Sequence, residues 1–340
     1  MWIQNRWAGI ILFHVKPTLM AEGHYLAGSY AGRDVNVGGD YGTPLAREAE
    51  QHVDMLRRAE GTTRFRRPAH TRTFVVANQK GGVGKTTSAV NIAAAMALRD
   101  LRILVIDLDP QGNASTALRV PHSQGIPGVY EALVDEQPMQ EVVVESPELP
   151  NISVLPASID LAGAEIELVS LVARESRLER ALDAYLEYRK SIGDRVDYVF
   201  IDCPPSLGLL TVNAFVAARE VLIPIQCEYY ALEGLGQLVR NIELVRSHLN
   251  RSLQITTILL TMHDSRTNLS AGVTKEVREY FGPKVLDTAI PRSVRISEAP
   301  SYEQSVMTYD KSSPGALSYL EAAREITQQT VEDQSVGDTV

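Results

Sequence analysis

The sequence predicts an α/β protein whose mostly parallel sheet is covered by helices on both faces. After residue 72, short runs rich in β-branched residues alternate with longer segments of helical periodicity. The short runs are almost continuously apolar, as expected for strands that are buried on both faces of a sheet. The predicted strands are residues 74–77, 103–107, 152–155, 198–202, 221–225, 255–261 and 285–290.

The segment between the first two predicted strands has the periodicity of an amphipathic helix. Its apolar residues recur three and four positions apart, which places them on one helical face. This face is formed by Ala89, Ile92, Ala93, Met96 and Ala97. We therefore expect a helix that packs against the sheet and completes a strand–helix–strand unit.

Composition excludes several classes of protein. The 340 residues are 44% hydrophobic and 22% charged, which is ordinary for a globular chain. No apolar run approaches the roughly 18–20 residues of a membrane-spanning helix. Two cysteines cannot form a disulfide framework or a four-thiolate zinc site. The net charge of −9 argues against a constitutive nucleic-acid coat but permits a local basic face.

We predict a division of the chain into three parts. Residues 1–70 form a weakly structured extension, in which segment 21–42 lacks any period and segment 43–60 forms a short helix. Residues 71–328 form the folded domain. Residues 329–340 are an acidic, flexible tail.

A basic segment precedes the predicted domain. Between residues 57 and 72 there are six arginines and one glutamate, which gives a local net charge of +5. The charge run favours a solvated basic linker. An auxiliary contact for an anionic partner is the alternative interpretation.

The first predicted strand leads into a glycine-rich loop that ends in Gly84, Lys85 and Thr86. A buried strand before this ending and a helix after it are the context of a P-loop. Backbone N–H groups would surround phosphate oxygens, Lys85 would reach the β- and γ-phosphates, and Thr86 would supply its hydroxyl to Mg²⁺. The sequence therefore predicts a P-loop NTPase that uses ATP and Mg²⁺. Its candidate ATP-binding residues in the loop are Lys80, Gly81, Gly82, Val83, Gly84, Lys85, Thr86 and Thr87.

The loop departs from the standard P-loop at two positions. Gln79 replaces the expected first glycine, and a second lysine, Lys80, precedes the paired glycines. This pattern resembles the deviant Walker A family of ATPases, whose signature is Lys-Gly-Gly-x-Gly-Lys-Thr/Ser. In that family the additional lysine reaches across a dimer to the nucleotide of the partner subunit. The resemblance implies the same catalytic role for Lys80.

Two carboxylates close the second predicted strand. Asp107 and Asp109 are two positions apart, so they point the same way at the carboxyl edge, where α/β folds bind ligands. Phosphoryl transfer to water needs a carboxylate or amide near the γ-phosphate that positions the nucleophile. We assign this catalytic role to Asp109, which precedes the helix-breaking Pro110. Asp107 is expected to support Asp109 or the metal shell.

The predicted strand at 198–202 ends in Asp202. A hydrophobic strand that ends in an aspartate has the pattern of a Walker B motif. Asp202 is therefore predicted to hold Mg²⁺, directly or through water.

The two cysteines raise an alternative that involves electron transfer. The nitrogenase iron protein shares the fold and bridges an iron–sulfur cluster with two cysteines per subunit. Cys203 adjoins the predicted metal aspartate, and Cys227 follows a predicted strand. Burial as small hydrophobic residues is the interpretation that we favour for both.

Four segments together resemble the ParA/Soj-type chromosome-partitioning ATPases of the MinD/ParA superfamily. They are residues 78–87, 107–115, 202–208 and 290–301, and the resemblance covers roughly residues 73–325. It implies a sandwich homodimer that forms on ATP binding and binds DNA without sequence preference. It also implies a ParB-type, centromere-bound partner that stimulates hydrolysis and releases the dimer from DNA. A cytoplasmic, nucleoid-associated location follows from the same resemblance.

The late segment 290–301 carries the remaining candidates. The resemblance implies DNA contacts at basic residues near this segment, with Arg295 the first candidate and Arg292 the second. Pro291 and Ser293 match positions where the backbone of family members approaches adenine, although many members have asparagine at the latter.

Three other functions stay open. A MinD-like spatial regulator would bind membrane through a basic amphipathic C-terminal helix, but segment 317–329 has one arginine and two glutamates, so we expect no membrane partner. An ATP-dependent biosynthetic ligase of the same fold would need a substrate pocket. A non-hydrolysing DNA-binding regulator would use ATP only to hold a dimer together.

Overall fold

The structure is a computed structural model that describes residues 65–228 and 231–329. The predicted helix at 43–60, the first part of the basic segment and residues 330–340 lie outside the described residues.

Within the described residues, seven strands form one sheet in the order β3-β4-β2-β5-β1-β6-β7. All neighbouring pairs are parallel except β3 and β4, which are antiparallel. The strands are β1 (Arg72–Val76), β2 (Ile103–Asp107), β3 (Val144–Glu145), β4 (Ile152–Leu155), β5 (Tyr198–Asp202), β6 (Glu220–Gln226) and β7 (Gln254–Thr261). The predicted α/β fold with a mostly parallel sheet is confirmed.

Helices connect the strands, and short 3₁₀ turns occupy Gly282–Lys284 and Ala299–Tyr302. The helices that precede β5 are α1 (Lys85–Ala97), α2 (Asn113–Ala117), α3 (Val129–Leu133), α4 (Met139–Val142), α5 (Leu161–Leu168) and α6 (Arg177–Ser191). Those that follow β5 are α7 (Leu209–Ala217), α8 (Ala231–His248), α9 (Asn268–Phe281), α10 (Val294–Glu298), α11 (Val306–Tyr309) and α12 (Pro314–Gln328). No described helix is long and apolar enough to cross a membrane.

Side chains of each strand alternate between two hydrophobic cores, one on each face of the sheet. In β1, Phe74 and Val76 pack into the core that contains α1 and α12, whereas Val75 packs into the core that contains α6 and α8. This two-sided burial explains the almost continuous apolar runs of the strands. The apolar residues Leu317, Ala322 and Ile326 of α12 are buried in this packing.

The strand register brings the ends of three central strands together. Val76 of β1 pairs with Asp202 of β5, and Asp202 pairs in turn with Asp107 of β2. The loops that follow these strands therefore start side by side at the carboxyl edge of the sheet, which is where parallel α/β sheets bind ligands.

The predicted strand at 285–290 is wrong. Val285 forms only an isolated parallel bridge to β7. The backbone N–H groups of Asp287 and Thr288 donate instead to the side-chain carboxylate of Glu325, at 2.7 and 3.0 Å. Leu286 and Ile290 still donate to carbonyls of β7, but the N–H of Thr288 between them donates to the carboxylate, so the ladder is interrupted. The two-residue strand β3 was not predicted, because such a short segment carries no period.

The described end of the basic segment is tied to the sheet. Arg72 forms a bidentate ion pair with the buried Glu220, with N–O distances of 2.7 and 2.6 Å, and donates to the carbonyl of Ile326. Arg67 pairs with the buried Asp197 at 3.3 Å. Each of these arginines thus supplies positive charge to a buried carboxylate at the amino ends of the strands.

Candidate nucleotide-binding site

The glycine-rich loop joins β1 to α1 in a conformation that glycine favours. Gly82 and Gly84 have φ angles of 73° and 87°, in the left-handed region that residues with a Cβ rarely adopt. Gly84 is also the N-cap of α1 and contributes no side-chain hydrogen bond. The first N–H groups of α1 therefore face outward without a cap, and the helix dipole favours an anion there.

The loop is open on one side and anchored on the other. A Cβ built at Gly81 or Gly82 would meet no atom within 4 Å, so there is room beside both residues. Val83 is buried, and its carbonyl accepts a hydrogen bond of 2.9 Å from the hydroxyl of Thr261 at the end of β7. The fixed side positions the loop while the open side can admit phosphate groups.

Lys85 is the first residue of α1, and only 8% of its surface is exposed. Burial lowers the pKa of Lys85, and the nearby Asp202 carboxylate acts in the opposite direction. Thr86 and Thr87 follow it and are half-buried in the first turn. A buried ammonium group beside uncapped N–H groups provides the positive charge that a polyphosphate requires.

Two carboxylates lie side by side at the ends of β2 and β5. Asp107 and Asp202 are register partners, and both are completely buried. Asp107 is well satisfied: it accepts hydrogen bonds of 2.8 Å from both the N–H and the hydroxyl of Ser115, and one of 3.3 Å from the N–H of Asp109. Burial nevertheless raises the pKa of Asp107 to about 6. The structure thus places Asp107 as a support for the loop that carries Asp109.

Asp202, in contrast, has no hydrogen-bond partner on either carboxylate oxygen. Burial, followed by the negative charge of Asp107, raises the pKa of Asp202. Thr86 and Lys85 favour its charged form, yet neither donates a hydrogen bond of normal geometry to it. A buried carboxylate without a partner is costly unless a cation completes its environment.

The residues at this edge fit a magnesium ion. The orphaned oxygens of Asp202 and the hydroxyl of Thr86 are hard oxygen ligands, which Mg²⁺ prefers. Within the described residues there is no cluster of three or more histidine, cysteine, aspartate or glutamate side chains that could hold a metal. Mg²⁺ does not need one, because it commonly takes one or two protein ligands together with phosphate and water.

Asp109 occupies a tight turn immediately after β2. Its carboxylate accepts a hydrogen bond of 3.0 Å from the N–H of Gln111, and its carbonyl accepts one of 2.9 Å from Gly112. The side chain is half-buried and close enough to influence the pKa of both Asp202 and Lys85. Asp109 therefore belongs to one charged cluster with Lys85, Asp107 and Asp202, and it lies on the solvent side of that cluster.

Lys80 pairs with a carboxylate other than Asp107, Asp109 or Asp202. Its backbone N–H donates to the Asn78 side chain at 3.0 Å, and its ammonium group pairs with Glu228 at 3.3 Å. Glu228 follows β6, and the Lys80 side chain is 38% exposed. The two lysines of the loop thus have different surroundings, since Lys85 is buried beside Asp202 whereas Lys80 lies at the surface.

The late segment reaches the same edge of the sheet. Pro291 forms a parallel bridge with His263, which lies just beyond β7, and Ser293 is the N-cap of α10. Arg292 pairs with Glu228 at 3.6 Å. The segment that contains the predicted adenine-approaching residues therefore lies next to the residue that holds Lys80.

Arg295 is exposed but already paired within the chain. It contacts Glu298 at 3.3 Å and Asp310 at 3.4 Å. The hydrogen bond with Tyr309, followed by the charge of Glu298, raises the pKa of Arg295. Any anionic ligand at this surface must compete with two carboxylates.

Both cysteines are buried and form no disulfide. Burial, followed by the charge of Asp202, raises the pKa of the Cys203 thiol. Cys227 contacts the hydroxyl of Thr274 at 3.9 Å. Buried protonated thiols match the interpretation as small hydrophobic residues.

Sequence reasoning missed the residues that support the predicted ones. Asn78 donates to the carbonyl of Pro224 at 2.8 Å, and Gln226 donates to Glu228 at 2.6 Å. A polar residue just after a buried strand was the available signal for Glu228, as it was for Asp202. No local pattern marks Ser115 as a hydrogen-bond donor to Asp107, because only the turn between the two residues brings them into contact.

The fold and the loop define a P-loop protein of the nucleotide-binding class. A family model described as an AAA domain matches residues 71–255. The sporulation initiation inhibitor protein Soj of Bacillus subtilis is 49% identical over 253 residues, which cover 74% of this chain and 97% of that protein. The chromosome partitioning protein ParA of Myxococcus xanthus is 48% identical, with 76% and 88% coverage. The chain belongs to the ParA/Soj family of chromosome-partitioning ATPases.

Solved structures show the same fold. A protein from Mycobacterium smegmatis named cobyrinic acid a,c-diamide synthase, with bound ADP and magnesium, is 39% identical, has a TM-score of 0.63, and is matched over 75% of this chain and 94% of its own. The cell division ATPase MinD of Pyrococcus furiosus has a TM-score of 0.60 at 23% identity, over 75% of this chain and 98% of its own, and supports the fold alone.

Replacement of the buried lysine tests the site directly. Lys85→Ala should weaken ATP binding by roughly 100-fold or more, because truncation removes a largely desolvated charge from the phosphate site. Fluorescence titration with a labelled ATP analogue measures the affinity. Lys275→Ala, at an exposed lysine of α9, is the matched control and should bind like wild type. Unchanged affinity in Lys85→Ala would contradict this placement of the phosphates.

Proposed function

We propose that this chain is a partition ATPase that dimerises with ATP, binds DNA without sequence preference, and leaves DNA when a ParB-type partner stimulates hydrolysis. One observation carries the proposal: the two lysines of a single loop have different neighbours. Lys85 lies beside the buried Asp202, whereas Lys80 lies at the exposed surface next to the late segment. A loop that only held its own nucleotide would have no use for the second lysine.

Residues at the carboxyl edge would hold Mg²⁺–ATP. Thr86 and Asp202 fit the metal, and the ion would neutralise charge that develops on the transferred phosphoryl group. Lys85 and the N–H groups of α1 would bind the phosphates. Pro291 and Ser293, in the adjacent late segment, would approach the base.

Asp109 would position the attacking water. It lies on the solvent side of the charged cluster, and the backbone hydrogen bonds with Gln111 and Gly112 fix its direction. Asp107 supports the same turn through the N–H of Asp109, and Ser115 holds Asp107 in turn. A carboxylate with such restrained geometry orients a water molecule at little entropic cost.

Dimerisation would give Lys80 its function. Two ATP molecules between two subunits concentrate negative charge, and a cation from each partner offsets it. Lys80 is the exposed cation of the loop, and Arg292 is a second cation nearby. The homodimer is therefore the assembly in which both lysines of the loop contact phosphate.

DNA binding would use the surface around Arg295. A chain with a net charge of −9 binds a polyanion poorly as a monomer, because affinity arises from neutralised phosphates. A dimer doubles the number of arginines on one duplex. Such binding would place the protein on the nucleoid.

A biosynthetic amide synthase is the second candidate. The observation that favours it is the name of the Mycobacterium smegmatis structure, which is 39% identical. The chromosome partitioning protein ParA of Myxococcus xanthus is more similar, at 48% identity, as is Soj of Bacillus subtilis at 49%. DNA binding that depends on ATP separates the two functions.

Asp109→Ala tests the catalytic assignment. Hydrolysis should fall by roughly 100-fold or more, because the water loses its orienting carboxylate, while ATP affinity should stay within about threefold of wild type. Phosphate release and nucleotide titration measure the two quantities on the same preparation. A wild-type rate would move the catalytic role to another residue, and lost ATP binding would make Asp109 a ligand instead.

Co-sedimentation with plasmid DNA tests the proposed function as a whole. Binding should require ATP, be absent with ADP or without nucleotide, and weaken steeply as salt rises. Arg295→Glu should lose most of this binding but keep ATP-dependent dimerisation. Arg246→Glu is the matched control, since Arg246 has the same i,i+3 pairing with a glutamate but lies on α8.

DNA binding that is the same with ATP, with ADP and without nucleotide would contradict the partition function. If wild type binds DNA with ATP and Arg295→Glu binds equally well, the function stands and the contact lies elsewhere. Arg266, Lys275 and Arg278 are then the next residues to change.

A further inference from the structure

One carboxylate connects the nucleotide loop with the late segment. Glu228 follows β6 at the carboxyl edge, and its Oε2 pairs with the Nζ of Lys80 at 3.3 Å. Its Oε1 lies 3.6 Å from Nη2 of Arg292 and accepts a hydrogen bond of 2.6 Å from Gln226. Two cations from distant parts of the chain therefore share one anion.

The ion pairs of Glu228 are weak enough to act as a reversible restraint. The Glu228 side chain is 44% exposed, and both cations are solvated to a similar or greater degree. Exposed ion pairs change an equilibrium by at most about fivefold, because water and salt screen them. A nucleotide polyphosphate carries several negative charges and can displace a single carboxylate from Lys80. The pair therefore biases the position of the lysine but cannot lock it.

We propose that Glu228 restrains Lys80 within its own subunit and so opposes the reach of Lys80 to the nucleotide of the partner. Arg292 weakens this restraint, because it competes for the same carboxylate. Gln226 fixes the side chain that both cations contact. The inference rests on the proposed function, in which Lys80 acts across an ATP-bound dimer.

Removal of the Glu228 charge and removal of the Arg292 charge should have opposite effects on the affinity of the dimer. Glu228→Gln removes the anion but keeps the shape and an oxygen that can accept from Gln226, so Lys80 is released and the dimer becomes tighter. Arg292→Gln leaves Lys80 as the remaining cation on Glu228, so the restraint becomes stronger and the dimer weaker. No role of Glu228 as a mere surface residue gives this pair of opposite effects.

Sedimentation velocity with a slowly hydrolysed ATP analogue and without DNA measures the dimer dissociation constant. Each dimer releases two restraints, so Glu228→Gln should tighten it by about four- to 25-fold. Arg292→Gln should weaken it by up to a similar factor. Glu243→Gln is the matched control: this glutamate is similarly exposed and paired, but it lies beside the first residue of β7, at the opposite edge of the sheet.

A double-variant comparison assigns the effect to the lysine. Lys80→Ala should lose the analogue-dependent dimer, and Glu228→Gln should not restore it, because the released group is missing. Restoration of the dimer in the double variant would show that Glu228 acts through another residue and would overturn the inference.

The remaining outcomes separate this inference from the proposed function. A wild-type protein that forms no nucleotide-dependent dimer would overturn the proposed function itself. A normal wild-type dimer together with an unchanged or weaker Glu228→Gln dimer would overturn only the restraint. An Arg292→Gln dimer equal to wild type would overturn the role given to Arg292.

Discussion

Asp202 and Asp107 end adjacent parallel strands in register, where both carboxyl groups are completely buried. Ser115 satisfies one of them, and the other has no hydrogen-bond partner. The rest of the site is arranged around this imbalance. Lys85 lies beside the unsatisfied carboxylate, the uncapped start of α1 adds positive potential, and the open glycine loop leaves room for a ligand.

The burial of these two carboxyl groups makes the stability of the fold depend on pH. The pKa of Asp107 is raised from 3.8 to about 6, and that of Asp202 is also raised. The folded protein therefore binds protons more tightly than the unfolded chain, so the free energy of unfolding falls as pH rises from about 4 through about 6. A bound cation reverses this cost because it favours the charged carboxylates. The site thus trades stability of the unliganded protein for affinity toward a metal–nucleotide complex.

Much of this arrangement could be predicted from sequence because the signals are local. Buried strands are recognisable as apolar runs; Lys85 and Asp109 lie in or just beyond the segments that follow two of these runs, and Asp202 ends a third. Contacts between distant segments could not be predicted in the same way. Glu325 interrupts a predicted strand because it accepts from two of its N–H groups, and Glu228 connects the loop with the late segment through its pairs with Lys80 and Arg292. Neither contact has a local pattern, since each depends on how separate elements pack.

The three surface cations to which the proposed function gives a role are held in ion pairs within the chain. Lys80 and Arg292 share Glu228, and Arg295 contacts two carboxylates. In an acidic chain this pairing keeps the positive groups from binding anions indiscriminately, because every anion must first displace a carboxylate. A polyphosphate or a DNA duplex offers several charges at once and can do so. Under the proposed function, this pairing would favour ligands of dense negative charge.

The unpaired carboxylate of Asp202 is the feature on which the site depends, and thermal unfolding of Asp202→Asn tests it most directly. Wild type, Asp202→Asn and the exposed control Asp287→Asn should be compared without ligand, with ATP alone, and with ATP plus Mg²⁺. The unliganded Asp202→Asn protein should melt higher than wild type, by about 2–4 °C for each kcal/mol of buried charge relieved, and should lose the additional stabilisation by Mg²⁺. An unliganded variant that melts lower and still responds fully to Mg²⁺ would contradict the assignment of the metal to Asp202.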